Sequence, residues 1–185
     1  MGINNLKRGT LVVIDSDPYL VMHISHQHIG RGGSSAQIKI KNLVNGKVFD
    51  RTFKSSDQFE EAEVTKLDSQ FIYSRNNEFW FNESNKPSER FSIEEDVIGE
   101  SAGFLKPKMA VRAVQFKGKI INVELPVKVE YEVTDAPPKI KGNTAQGGSK
   151  QVTIETGVKI STPMFIETGD VIRVNTETGE YVERV

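Results

Sequence analysis

Three clusters in the 185-residue chain hold residue types that could do chemistry. The first is Gly30-Arg31-Gly32-Gly33-Ser34-Ser35. A Walker loop ends in Gly-Lys-Ser/Thr and opens a helix; this stretch does neither, and it does not match the dinucleotide fingerprint. What it offers is one guanidinium among glycines. Glycine permits backbone conformations closed to other residues and leaves the arginine unobstructed. Arginine presents a planar fork of five donors that stays charged at any working pH. Two readings fit: a cation carried on a hairpin tip toward phosphate, or a loose turn whose arginine aids solubility. The second cluster is His23, His26 and His28, all the histidine in the chain. On a regular strand positions 26 and 28 share a face and 23 points away, so a zinc site would need a ligand from elsewhere. No metal is expected there; the histidines shape the following loop or approach a phosphate. The third, Glu94-Glu95-Asp96, sits at an expected helix start, where carboxylates favour the helix dipole and have a structural role.

Nothing else resembles a catalytic set. There is no Ser/His/Asp elbow, and the absence of cysteine removes thiol nucleophiles, thiolate metal sites and disulfides together. The expectation is a protein that is not an enzyme and uses no cofactor.

The elements that must position these residues read as strands. Residues 10–15 and 19–24 are β-branched and apolar around a turn at Ser16-Asp17-Pro18. Residues 37–41 alternate with period two, and Asn45-Gly46 marks a hairpin into residues 47–53. Residues 71–73 and 79–81 flank Ser74-Arg75-Asn76-Asn77, and residues 109–116 turn at Lys117-Gly118-Lys119 into 120–125. One short helix is expected, with Ser92 and Glu95 forming a capping box. Beyond Pro126, strands are expected over 127–133, 152–160, 164–166, 170–174 and 181–185. Many short strands with regular turn signals indicate small barrels. Breaks near 63 and 127 divide the chain into modules 1–63, 64–126 and 127–185.

Charge is unevenly spread. The whole chain has formal net charge -1. Residues 1–56 hold eight basic residues against Asp15, Asp17 and Asp50, a net +5, and the next seven residues carry Asp57, Glu60, Glu61 and Glu63. The middle module balances and the last is mildly acidic. The basic first module either meets phosphate or displays lysines along solvated strand edges. No apolar run approaches the ~18 residues of a membrane helix, and residues 1–6 lack the pattern of a secretory signal. No membrane association and a cytoplasmic location are expected.

At several places the sequence resembles the bacterial elongation factor P family. His28-Ile29-Gly30-Arg31-Gly32-Gly33, residues 38–43, Asn45-Gly46 and residues 51–55 are similar to its first domain. Val123-Glu124-Leu125-Pro126 resembles the end of its middle domain. Lys141-Gly142-Asn143-Thr144, residues 147–150, 155–157 and 163–166, and Gly179-Glu180-Tyr181-Val182-Glu183-Arg184-Val185 resemble its third. The resemblance runs in order from Lys7 to Val185. It implies an all-β fold, with an SH3-like (KOW-type) barrel followed by two OB-fold barrels in an L-shaped, tRNA-like arrangement. It also implies a monomeric factor that binds the 70S ribosome beside peptidyl-tRNA in the P site and relieves stalls at consecutive prolines.

By position, Arg31 is the tip residue that reaches the tRNA acceptor end, with His28, Ile29, Gly30, Gly32 and Gly33 forming the tip loop. Lys39, Lys41, Arg51 and Lys54 are candidate contacts to the RNA backbone, which fix register without reading sequence. Gly142, Asn143, Thr144, Tyr181 and Arg184 are candidate contacts of the third domain to the small subunit and the anticodon stem. Two positions depart from the family pattern: Ile29 stands where the family often has proline, and Arg31 where many members carry a lysine extended by modification. Arginine has no ε-amine and cannot take those extensions. One branch of the family carries a rhamnose on a tip arginine, so Arg31 is either rhamnosylated by a modifying enzyme or works unmodified. The alternative reading of the chain is a general single-stranded RNA-binding OB protein independent of the ribosome. It would need base-stacking aromatics exposed on a barrel face; of Phe79, Trp80 and Phe81, at most two can share a face, and core filling is the simpler expectation.

Overall fold

The computed structural model describes residues 1–28, 34–138 and 148–185. Its strands form three five-stranded antiparallel sheets, each contiguous in sequence. The first contains β1 (Leu11–Ile14), β2 (Asp17–His28), β3 (Ser34–Asn42), β4 (Val48–Lys54) and β5 (Glu60–Glu61), in the order β4-β3-β2-β1-β5. The second contains β6 (Val64–Arg75), β7 (Glu78–Glu83), β8 (Lys86–Glu94), β9 (Ala110–Phe116) and β10 (Lys119–Glu124), in the order β10-β9-β6-β7-β8. The third contains β11 (Lys128–Asp135), β12 (Ser149–Ile154), β13 (Lys159–Pro163), β14 (Val171–Asn175) and β15 (Glu180–Arg184), in the order β13-β12-β11-β14-β15. Numbered within each unit, the second and third sheets have the same order: the first strand is central, the second and third lie on one side, and the fourth and fifth on the other. The edge strands β8 and β10 approach each other, as do β13 and β15, which is how an OB barrel closes its sheet.

Turn chemistry explains the hairpins. Asn76 and Asn77 (φ 52° and 62°) join β6 to β7, and Lys117 and Gly118 (φ 48° and 76°) join β9 to β10. Two successive positive φ values suit the right-handed twist of the paired strands. The first turn falls one residue earlier than the Pro18 signal suggests, at Asp15 and Ser16 (φ 52° and 73°), so Asp17 and Pro18 already belong to β2. At Asn45-Gly46 the loop is held by Asn42, whose Oδ1 accepts from the Val44 and Asn45 amides at 2.7 and 3.1 Å.

Three further expectations need correction, and one strand was not expected. Ser92 is not a helix cap: it lies in β8 opposite Trp80, and helix α1 (Glu95–Ile98) has Glu94 at its N-cap with no side-chain cap. The alternation that buries Ile93 opposite Phe79 outweighs the local capping pattern. Residues 86–94, not anticipated as a strand, pair with β7 despite Pro87. The run 152–160 is two strands broken at residues 155–158, where Gly157 has φ 89°. Residues 164–166 form a turn rather than a strand, although Ile166 is fully buried.

The interior falls into two apolar clusters. One belongs to the first sheet and is built on Ile3, Val12, Val21, Ile38 and Ile40. The other runs without a break through the second and third sheets, from Phe71 and Phe81 to Tyr131, Ile154 and Ile172. The link between them is the 3-10 segment Gly99–Phe104. Phe104 packs on Tyr131, whose hydroxyl donates to the Phe104 carbonyl at 2.6 Å. Gly103 stands so close to β12–β13 that a Cβ there would lie 2.9 Å from Val158 Cγ2. The first sheet meets the second through Asn122, whose Nδ2 donates to the carbonyls of Leu43 and Val97 at 3.4 and 3.3 Å.

Candidate RNA-binding surfaces

The long hairpin of the first sheet positions its lysines. β2 and β3 pair from Tyr19–Asn42 to His28–Ser34, with a bulge between Val21 and His23. The bulge places Met22 at the surface and lets both Val21 and Ile24 turn toward the core. Along β3, Ala36, Ile38 and Ile40 are buried while Gln37 and Lys39 are exposed and Lys41 half-buried. Residues directly opposite on paired strands share a face. Lys39 therefore lies between His23 and Asp50, Lys41 between Leu20 and Val48, and Lys54 opposite Ser35, all on the outward face.

Arg51 is not with them. It lies opposite Ile38, on the other side of β4, and its Nη1 donates to Asp15 Oδ2 at 3.0 Å. The structure thus brings Lys39, Lys41 and Lys54 onto one surface and commits Arg51 to an ion pair at the β1–β2 turn. The hairpin is described as far as the His28–Ser34 pair. Ile29, Gly30, Arg31, Gly32 and Gly33 lie outside the described residues, as do Gly142, Asn143 and Thr144.

In the third sheet, Tyr181 is half-buried opposite Val174 and packs on the core. Arg184 spans two partners: its guanidinium is 5.4 Å from the Phe165 ring centroid and its Nη1 is 3.7 Å from Asp170 Oδ2. Phe165 is 48% exposed, so the pair presents an arginine stacked on an accessible ring. Sequence reasoning missed Phe165 because residues 164–166 read as a strand. Aromatic placement in the second sheet follows the alternation: Phe79 and Phe81 pack with Phe71 inside, while Trp80 stacks on Tyr73 at 6.2 Å on the outer face.

Sequence reasoning also missed a group of cations where the second and third sheets meet. Lys106 donates to the Glu130 carbonyl and to Glu155 Oε1, both at 2.9 Å. Arg173 donates to Glu130 at 2.7 Å and to Glu183, and these carboxylates raise its pKa, the Glu130 hydrogen bond most of all. A signal was present in Lys106-Pro107-Lys108, hidden by the balanced charge of the middle module. Among the described residues, no group of three or more His, Cys, Asp or Glu could hold a metal ion.

Three sheets, one with lysines on its outer face and two sharing the OB strand order, define an all-β protein of several small barrels. Comparison with known families narrows this. Residues 2–59 match the family described as the elongation factor P (EF-P) KOW-like domain, and residues 129–184 match elongation factor P, C-terminal. Elongation factor P of Moorella thermoacetica is 35% identical over 181 residues, spanning 98% of this chain and 97% of that protein. Elongation factor P of Coprothermobacter proteolyticus is 36% identical over 182 residues, with 98% and 97% covered. Among solved structures, eukaryotic translation initiation factor 5A from Methanococcus jannaschii covers 66% of this chain and 92% of its own, with a TM-score of 0.50 and 21% identity. That likeness concerns the fold. The chain belongs to the elongation factor P family and is a translation elongation factor.

Proposed function

We propose that this factor binds the 70S ribosome beside peptidyl-tRNA and promotes peptide bond formation at polyproline stalls by holding the tRNA acceptor end. The modules 1–63, 64–126 and 127–185 act as three units in this reading. The observation that carries it is the β2–β3 hairpin of a family member. It is paired from Tyr19–Asn42 to His28–Ser34 with one bulge at Met22, with Lys39 and Lys41 outward, and Arg31 is the one cation in the segment that joins its ends.

Proline is a rigid secondary amine with a fixed φ, so a Pro-Pro junction disfavours the geometry of attack. Holding the reacting end in place lowers the entropic barrier without supplying a reacting group. The ribosome performs the chemistry and this protein positions. Lys39, Lys41 and Lys54 contact the phosphate backbone and fix register. Arg51 keeps its Asp15 pair through Nη1 and contacts RNA through its remaining donors, from a different face than the three lysines. Tyr181, Arg184 and the segment containing Gly142, Asn143 and Thr144 contact the small subunit and the anticodon stem.

The test is translation in vitro of a polyproline reporter with wild-type protein and Arg31→Ala. The wild type should relieve the stall and the variant should lose most of the rescue while keeping the wild-type melting temperature. Full rescue by Arg31→Ala refutes the role of Arg31. Intact mass of the protein from its native host decides between a rhamnosylated and an unmodified tip, because an unshifted mass ends the glycosylation reading.

A further inference from the structure

Between the second and third sheets lies an open cleft of about 400 Å³, lined by Lys106, Lys108, Met109, Lys128, Glu130 and Arg173 among others. Its cations are of two kinds. Lys106 and Arg173 are each two-thirds buried and committed to carboxylates, Lys106 to Glu155 and Arg173 to Glu130 and Glu183. Lys108 and Lys128 are exposed, one on each side of the seam, and neither ammonium makes an ion pair among the described residues.

Lys108 is fixed by its backbone. It has φ 67°, its amide donates to the Phe71 carbonyl at 2.9 Å, and its carbonyl accepts from Gln70 Nε2 at 3.0 Å. Lys128 opens β11 opposite Asn175. The seam beneath them is rigid, because one apolar core runs through both sheets. The backbone positions from which the two lysines extend are therefore set by the fold rather than by a linker.

We propose that this cleft binds the phosphate backbone of an RNA strand, with Lys108 and Lys128 contacting the phosphates and the neutralised Lys106 and Arg173 forming the floor. The inference rests on the reading of the protein as a ribosome-bound factor and names a contact surface that reading does not use. Glu130 is already occupied by Arg173, so it does not oppose an anion at full strength. Lysine suits such a surface because an ammonium meets phosphate as a point charge from many directions, without base specificity.

The experiment measures equilibrium binding to 70S ribosomes, vacant or carrying P-site tRNA, between about 0.1 and 0.3 M monovalent salt at constant magnesium. It compares wild type, Lys108→Ala/Lys128→Ala and a control, Lys86→Ala/Lys119→Ala. Each phosphate contact on a single strand contributes roughly 0.7 to the slope of log K against log salt. Losing two contacts should weaken binding roughly 25-fold at 0.1 M and about 5-fold at 0.3 M, with the slope shallower by roughly 1.4. The control should match wild type, and all variants should keep the wild-type melting temperature. An effect in both kinds of ribosome assigns the strand to ribosomal RNA; an effect only with tRNA present assigns it to tRNA. A cleft variant within twofold of wild type at every salt concentration overturns the proposal. So does weakened binding with an unchanged slope, accompanied by cross-links from the cleft to ribosomal protein, which would mean an acidic protein partner. Absence of wild-type binding would sink the translational reading itself, a different result from normal wild-type binding with an unaffected variant.

Discussion

Replacing Tyr131 by phenylalanine tests the seam that unites the second and third sheets. Tyr131 is fully buried, and its hydroxyl donates at 2.6 Å to the carbonyl of Phe104, the last residue of the 3-10 segment that enters the shared core. Phenylalanine keeps the ring against Phe104 but leaves a carbonyl without its donor in an apolar setting. That costs about 1–3 kcal/mol, which for a chain of this length lowers the melting temperature by roughly 2–12 °C. The pH dependence sharpens the test. Burial, and then the charge of Glu155, push the Tyr131 phenol well above its ordinary value. The fold therefore holds the neutral form. Its contribution is complete below about pH 10, where the unfolded tyrosine starts to ionise, and falls as pH rises further. Thermal melting followed by circular dichroism at neutral and alkaline pH should show a lower melting temperature for Tyr131→Phe at neutral pH. The gap should narrow as the pH is raised above 10. Tyr73→Phe, at an exposed site, should stay within about 0.5 kcal/mol of wild type. A Tyr131→Phe protein melting within 1 °C of wild type at neutral pH would refute the role given to this hydrogen bond.

Other substitutions probe separate joints. Gly103→Ala places a Cβ against Val158 and should destabilise by about 1–3 kcal/mol through overpacking; adding Val158→Ala should recover part of the loss in the same melting assay, and an unperturbed single variant would contradict the close approach. Asn122→Ala removes the link from Leu43 and Val97 and the 2.7 Å acceptor of the Val123 amide. It should cost about 1 kcal/mol and raise the relative motion of the first and second sheets in NMR relaxation, and unchanged relaxation would count against Asn122 as the tie. Ser92→Ala should change stability by less than about 0.5 kcal/mol, since Ser92 caps no helix; a loss near 1 kcal/mol, typical of a lost cap, would contradict its place in β8.

Much of the fold is legible where a local signal and the tertiary environment agree. Gly46, Asn76 and Asn77 take positive φ, and both turns join hairpin strands; the alternation over residues 37–41 gives the buried Ile38 and Ile40 and the outward Lys39. It is less legible where one signal overrode another. Strand β8 was obscured by Pro87 and by the polar run around it, and its pairing with β7 also displaced the capping box at Ser92. The break at residues 155–158 interrupts an apolar alternation that continues on both sides, so only Gly157 marks it.

The site residues divide on the same grounds. Lys39, Lys41 and Lys54 share a face because of register, which a count of basic residues does not contain, and register is also what removes Arg51 from the group. Phe165 meets Arg184, and Lys108 lines one cleft with Lys128, across sheets and turns rather than along a single local pattern. Charge totals by module conceal them: the middle module is balanced overall yet contributes Lys106 and Lys108 to one cleft.

The central claim is that the segment joining β2 and β3 works at the acceptor end of peptidyl-tRNA. Because the chain has no cysteine, Ile29→Cys provides a unique attachment point that leaves Arg31 in place. Directed hydroxyl-radical probing from an iron chelate tethered there, on ribosomes stalled at consecutive prolines, should cleave the acceptor end of the P-site tRNA. Cleavage confined to other regions of the tRNA, or to ribosomal RNA distant from the P site, would contradict it.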